Sequence, residues 1–284
     1  MRKHAISLAA AILVAGSSSM LAGTINVLWY TGGVSAPGGT SGSYAGEIAN
    51  LTAQEMSAFN ISGSVNTWNV TTWAGGPMPA GSFNVLVTVS REGGWSTYPN
   101  YASLVAAAPT LGNRIMVTGQ DADWHYQYGP GNANFNGPAG FLIDAINWAG
   151  SGSGMGAVFM SPGDLNLALL GVTGLGGNSG GDNTVIIPGA FSSFPINSSL
   201  TSAGLSGWNT SAHDSYFGYD TTKWVGINLT GFGDAVTLVS KDTAGGGTSG
   251  GVPDVTSTAG LLLVAFAGLI LLSRRSPLAA AVKA

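Results

Sequence analysis

Cysteine is absent from this 284-residue chain, and charge is scarce, with 8% charged residues against about 25% in ordinary globular domains. The absence of cysteine excludes disulfides, thiolate metal ligands and a cysteine nucleophile. The nine Lys and Arg residues are scattered, so no basic footprint for nucleic acid exists. No phosphate-binding Gly-Lys-Ser/Thr loop is present, and no Gly-x-Ser-x-Gly elbow stands on a strand-to-helix turn. Gly150 to Gly154 alternates Gly and Ser after a helical stretch, as a linker would. The Gly-rich run Gly171 to Gly181 lacks the strand, helix and downstream acid of a dinucleotide fingerprint. No internal repeat of about 20–50 residues is visible, which excludes solenoids and propellers.

What is there is apolar and glycine-rich: 45% hydrophobic residues and 45 glycines. That hydrophobicity excludes a polar disordered chain. The glycines have no three-residue period, which excludes collagen. Residues 1–23 read as a secretory signal, with Arg2 and Lys3 ahead of the apolar stretch Ala5 to Gly16 and a small-residue cleavage site near Thr24.

At the other end, residues 244–255 are a Gly/Ser linker running into Val252-Pro253-Asp254. Residues 256–273 follow as a transmembrane helix, with no charge in the 17 residues from Thr256 to Leu272. Arg274 and Arg275 open a basic tail, residues 274–284, which the positive-inside rule keeps cytoplasmic. This tripartite end resembles a PEP-CTERM sorting signal in its Val-Pro-Asp variant. Asp254 and Val255 stand where the commoner form has Glu and Pro. The resemblance implies a bacterial protein exported across the inner membrane, held by its C-terminal helix and cut by an exosortase, then placed on the cell surface or outside it. Between Thr24 and Gly251 the acidic residues outnumber the basic ones twelve to four, for a net charge of −8. That excess keeps a domain soluble and does not seek nucleic acid.

Residues 24–243 form the exported body. Apolar runs at Ile25 to Tyr30, Phe83 to Ser90, Arg114 to Thr118, Ala157 to Met160 and Thr184 to Ile187 predict buried strands. Helical stretches at Tyr44 to Phe59, Tyr98 to Ala108 and Pro138 to Ala149 alternate with them. This alternation predicts an α/β domain with a mostly parallel sheet covered on both faces. Trp224 to Leu229 and Ala235 to Val239 add a small β appendage. The order resembles the flavodoxin-like three-layer fold and, within it, class I glutamine amidotransferase-like and ThuA-like domains. The cysteine of the amidotransferases has no counterpart, so that chemistry is excluded.

Two clusters could carry chemistry. In Asp121-Ala122-Asp123-Trp124-His125, two carboxylates and an imidazole share one face if the segment is extended. Asp121, Asp123 and His125 would then suit a divalent metal past the end of a strand. The alternative is a loop in which the two Asp side chains form turns and His125 bonds a backbone carbonyl. Trp124, Tyr126 and Tyr128 would suit stacking on a sugar face, or loop packing. His213, followed by Asp214, is the other histidine of the body and hence the other candidate acid or base. Arg91 after the strongest strand signal suits an anion clamp, or a surface pair with Glu92 or a neighbouring Asp. Six Asn-x-Ser/Thr sequons occur, at Asn50, Asn60, Asn69, Asn197, Asn209 and Asn228.

The expectation is an exported surface or matrix protein with a non-catalytic binding or structural body, its partners being the membrane, the sorting enzyme and extracellular polysaccharide. A metal-assisted hydrolase acting on glycans is the alternative. No cofactor is expected beyond the divalent metal that the Asp/His cluster would suit.

Overall fold

The computed structural model of the protein describes residues 23–34, 44–62, 66–90, 100–129, 135–160 and 166–241. The signal segment before residue 23, Arg91, the linker, the Val252-Pro253-Asp254 motif, the apolar helix and Arg274-Arg275 lie outside the described residues. Among the described residues no helix is long and apolar enough to cross a membrane. The boundary between the two units of the chain falls after Lys241.

The body is α/β. In chain order its elements are β1 (Thr24–Tyr30), α1 (Tyr44–Ser62), β2 (Thr67–Trp73), β3 (Val85–Thr88), α2 (Tyr101–Ala107), β4 (Leu111–Thr118), α3 (Ala122–Tyr128), α4 (Pro138–Gly150) and β5 (Met155–Met160). There follow β6 (Gly177–Ser179), β7 (Val185–Ile186), α5 (Ser202–Leu205), β8 (Ser215–Phe217), β9 (Trp224–Thr230) and β10 (Ala235–Ser240). All ten of these strands join one mixed sheet, ordered β2-β1-β3-β5-β4-β10-β8-β6, with β9 on β10 and β7 on β9. The β2 to β4 half is parallel and everything from β10 onward is antiparallel.

The predicted parallel sheet is therefore present, with three corrections. A flavodoxin-like order would be 2-1-3-4-5, whereas here β5 lies between β3 and β4. The outer edge of β4 is taken by β10, sealed by the Thr118 and Thr237 hydroxyls at 3.0 Å, so β5 enters on the inner side. The late strands are not an appendage, because β10 continues the main sheet through β4. The run at Thr184 to Ile187 is the two-residue β7, antiparallel to β9, not a fifth parallel strand. β2 was not legible: Thr67-Trp-Asn-Val-Thr-Thr-Trp73 buries only its two tryptophans, as an edge strand can.

Chain direction places the helices. The step from β1 to β2 runs one way along the sheet and that from β3 to β4 the other, so right-handed crossovers put α1 and α2 on opposite faces. The return from β4 to β5 runs in the first sense and brings α4 to the α1 side, where it packs on α1, α3 and the four central strands. Every residue of β5 is buried, as a strand covered on both faces requires. In α4 all residues but Asp144 and Asn147 are buried. Asn147 holds the layers together: its Oδ1 accepts from Trp68 Nε1 of β2 at 2.8 Å, and its Nδ2 donates to Glu55 Oε1 of α1 at 3.0 Å.

Candidate metal centre

The site begins where β4 ends. After Thr118 the chain reaches Gly119, whose carbonyl accepts from the backbone N–H of His213 at 2.7 Å. A Cβ at Gly119 would lie 1.8 Å from the Asp214 carbonyl oxygen, so only glycine admits the His213 segment this close. That segment is held from behind. Ala212 and Asp182 exchange backbone hydrogen bonds of 2.9 Å, and Ser211 Oγ accepts from Trp208 N at 3.0 Å. Asn209 at φ 74° and Thr210 at φ 128° sit in the left-handed region, a strain for non-glycine residues that such ties must offset.

Asp121 stands just before α3, and its side chain does not cap the helix. His125 lies one turn on, and its N–H bonds the Asp121 carbonyl at 3.1 Å. Helical spacing turns the two side chains to one face. His125 Nε2 lies 3.1 Å and His213 Nε2 3.2 Å from the same oxygen, Asp121 Oδ1. One ligand atom from each residue falls within 4.8 Å of the others. Asp121 and His125 are buried, whereas the His213 side chain is 28% exposed and marks the solvent side. Neither ring nitrogen of His125 makes a well-aligned hydrogen bond despite its burial. An imidazole so placed fits a metal better than a simple Asp–His bond. One carboxylate oxygen and two imidazole nitrogens suit Zn²⁺, Fe²⁺ or Mn²⁺, and three protein donors leave further coordination positions open.

This arrangement corrects the sequence reading of the cluster. The segment is helical, not extended, so side chains two residues apart diverge by about 200°. Asp123 therefore leaves the group and His213 takes its place. Asp123 is fully buried, with Oδ2 accepting from Ser90 N at 2.9 Å at the end of β3. Burial, with the Asp121 charge added, pushes its carboxyl up to about 7. Tyr126 is no stacking platform either: it is buried, and its hydroxyl accepts from Gln54 Nε2 of α1 at 3.1 Å. Trp124 is half-buried and Tyr128 exposed, their rings 5.8 Å apart, with Trp124 edge-on to His125 at 4.9 Å. Trp208 covers His125 at 5.4 Å, a contact between residues 83 positions apart that no local pattern signals.

Glu47 was also missed. It belongs to the buried stripe Tyr44, Glu47, Leu51 and Glu55 of α1. The spacing of Glu47 and Glu55 about Leu51 was the available signal. Glu55 accepts hydrogen bonds from Asn66 N and Asn147, whereas Glu47 has none on either oxygen. Burial, and next the Asp123 charge, hold its carboxyl well above the usual carboxylate range.

No family model, no curated protein and no solved structure matches this chain.

Proposed function

We propose that this chain is an exported bacterial surface or matrix protein whose α/β body binds one divalent metal through Asp121, His125 and His213. The observation that carries the metal is the convergence of two histidines, from different halves of the sheet, on one buried carboxylate oxygen. The address rests on the signal-like segment and the PEP-CTERM-like tail, which imply an exosortase-like processing enzyme as partner. The resemblance to amidotransferase-like and ThuA-like domains rests on the alternation of strands and helices in the sequence, and the place of β5 between β3 and β4 departs from the flavodoxin-like order.

The first reading is a binding or structural body. A metal-assisted hydrolase acting on glycans is the second, favoured by Trp124 and Tyr128 beside His125, which offer a sugar face an aromatic surface next to the metal. A bound divalent ion would supply Lewis acidity and an activated water.

The test is metal content and titration calorimetry of the full chain in mild detergent, with Zn²⁺ and Mn²⁺. One equivalent should bind, and His213→Ala should weaken it more than about 100-fold, since even outer-shell changes at metal sites cost about 10–100-fold. No binding, or unchanged affinity in His213→Ala, would overturn the proposal.

A further inference from the structure

Among the described residues, β2, β6 and β7 each pair with a single strand and so form the edges of the sheet. β6 and β7 are three and two residues long, and edges that short protect themselves. β2 is different. It runs seven residues beside β1 in unbroken register, from Thr24↔Thr67 to Tyr30↔Trp73. Thr67 N–H donates to the Gly23 carbonyl and the Trp73 carbonyl accepts from Thr31 N–H, both at 2.9 Å. Thr67, Asn69, Thr71 and Trp73 therefore turn their backbone groups toward β1, and Trp68, Val70 and Thr72 turn theirs outward. No backbone hydrogen bond among the described residues reaches the outward groups.

This edge is held firmly in place. Trp68 Nε1 donates to Asn147 Oδ1 of α4 at 2.8 Å, Trp73 packs edge-on to Tyr30 with ring centroids 4.8 Å apart, and Asn69 Nδ2 donates to Asn26 Oδ1 at 3.3 Å. Asn69, Thr71 and Thr72 are exposed and Val70 is half-buried. Native edges are ordinarily blunted by a charge, a proline or a bulge. β2 has none of these, and no charged residue occurs between Glu55 and Arg91. The body as a whole carries a net charge of −8, which opposes the meeting of two copies. That repulsion is least along this uncharged edge.

The edge is also self-complementary. Antiparallel pairing centred on Val70 sets Val70 opposite Val70 of a second copy, and Trp68 opposite Thr72. Each outward residue then lies in a hydrogen-bonded pair, where opposite residues exchange both N–H···O bonds. Every outward N–H and carbonyl finds a partner about one two-fold axis, as an isologous contact requires. Asn69 faces Thr71 across the seam, an uncharged polar pair.

We propose that β2 is a dimerisation edge, on which two copies of this chain pair antiparallel about Val70 and fuse their sheets into one. The dimer is independent of the metal reading, since β1, β3 and β5 separate β2 from β4.

Sedimentation equilibrium of the full chain in density-matched mild detergent should show a reversible dimer. Val70→Pro removes an outward donor from each copy and no bond to β1, a replacement that edge strands tolerate. It should weaken the dimer more than about tenfold. Thr71→Lys, at an exposed position, sets two ammonium groups diagonally across the axis and should weaken it likewise; it serves if circular dichroism shows Val70→Pro unfolded. The absence of native cysteine lets an introduced one report the register. Val70→Cys should form an intermolecular disulfide under mild oxidation, because its two copies have Cα atoms about 5.5 Å apart. Thr72→Cys should not, because its two copies lie more than about 13 Å apart. A monomer at every concentration, a dimer that both Val70→Pro and Thr71→Lys leave intact, or a disulfide that forms as readily in Thr72→Cys as in Val70→Cys would overturn the proposal.

Discussion

Three consecutive residues at the end of β4 do three different jobs. Gly119 gives the His213 segment its close approach, Gln120 is buried with its side-chain amide unpaired, and Asp121 gathers both histidines. Each depends on side-chain size or polarity at one position, and none on the neighbours' hydropathy. Carboxyl groups elsewhere follow the same logic of burial. Asp144, on α4, is pushed up to about 7, chiefly by burial, while a hydrogen bond from Ser199 Oγ at 2.6 Å opposes the shift. In the unfolded chain this group ionises near 4. The folded state therefore holds the proton more tightly, and its contribution to stability is full below about pH 4 and is lost as pH rises to about 7. Asp144→Asn should flatten the fall in Tm between pH 5 and pH 8 by roughly 4–8 °C, corresponding to about 2 kcal/mol after allowance for partial solvent screening. Thermal melts across that range check it, and an unchanged slope would contradict the assignment.

Among the elements, the decisive contact is the docking of the His213 segment on the end of β4. It joins the antiparallel half to α3, and no side chain can substitute for the missing Cβ of Gly119. Gly119→Ala should push the segment outward, cost about 1–3 kcal/mol as overpacking does, and abolish metal binding even though every ligand is retained. Urea unfolding and a Zn²⁺ titration of the same variant check both effects. Normal metal affinity would mean that His213 does not depend on this approach. The short helix α3 makes the complementary contribution. Its 3.6-residue period pairs Asp121 with His125 and sends Asp123 toward Ser90, so one turn of helix supplies the candidate metal face and a buried carboxyl turned away from it.

Over the whole body, the sheet separates two ends. β1 starts and β10 finishes at the amino end of the parallel strands, because β10 runs antiparallel to β4. Both exits of the body therefore lie opposite the Asp121, His125 and His213 cluster, which occupies the carboxyl end. Two of the six sequons, Asn197 and Asn228, are fully buried in it, so neither can carry a glycan in the folded protein. If the tail is a sorting signal, the intact mass of the mature protein from its native cells should lack residues 1–23 and everything beyond the Val252-Pro253-Asp254 region. A mass that still includes Leu261 to Ala284 would mean a plain single-span anchor.

Hydrophobic periodicity is a local property, and it was enough for α1, α4, the parallel strands β1, β3, β4 and β5, and the late pair β9 and β10. It failed at β2, whose edge position buries too little apolar surface to leave a pattern, and at α3, whose polar cluster reads equally well as a turn. Composition excluded disulfides and cysteine chemistry outright. Asp121 and His125 were legible as candidates because they are close in sequence. Their union with His213, and the exchange of Asp123 for it, was not, because the antiparallel placement of β10 beside β4 and the helical turn of α3 decide it. The sequence by itself determined which side chains could hold a metal and which chemistry was impossible. The tertiary structure alone decided which of them meet, since convergence depends on strand order and on the close approach at Gly119, neither of which local periodicity encodes.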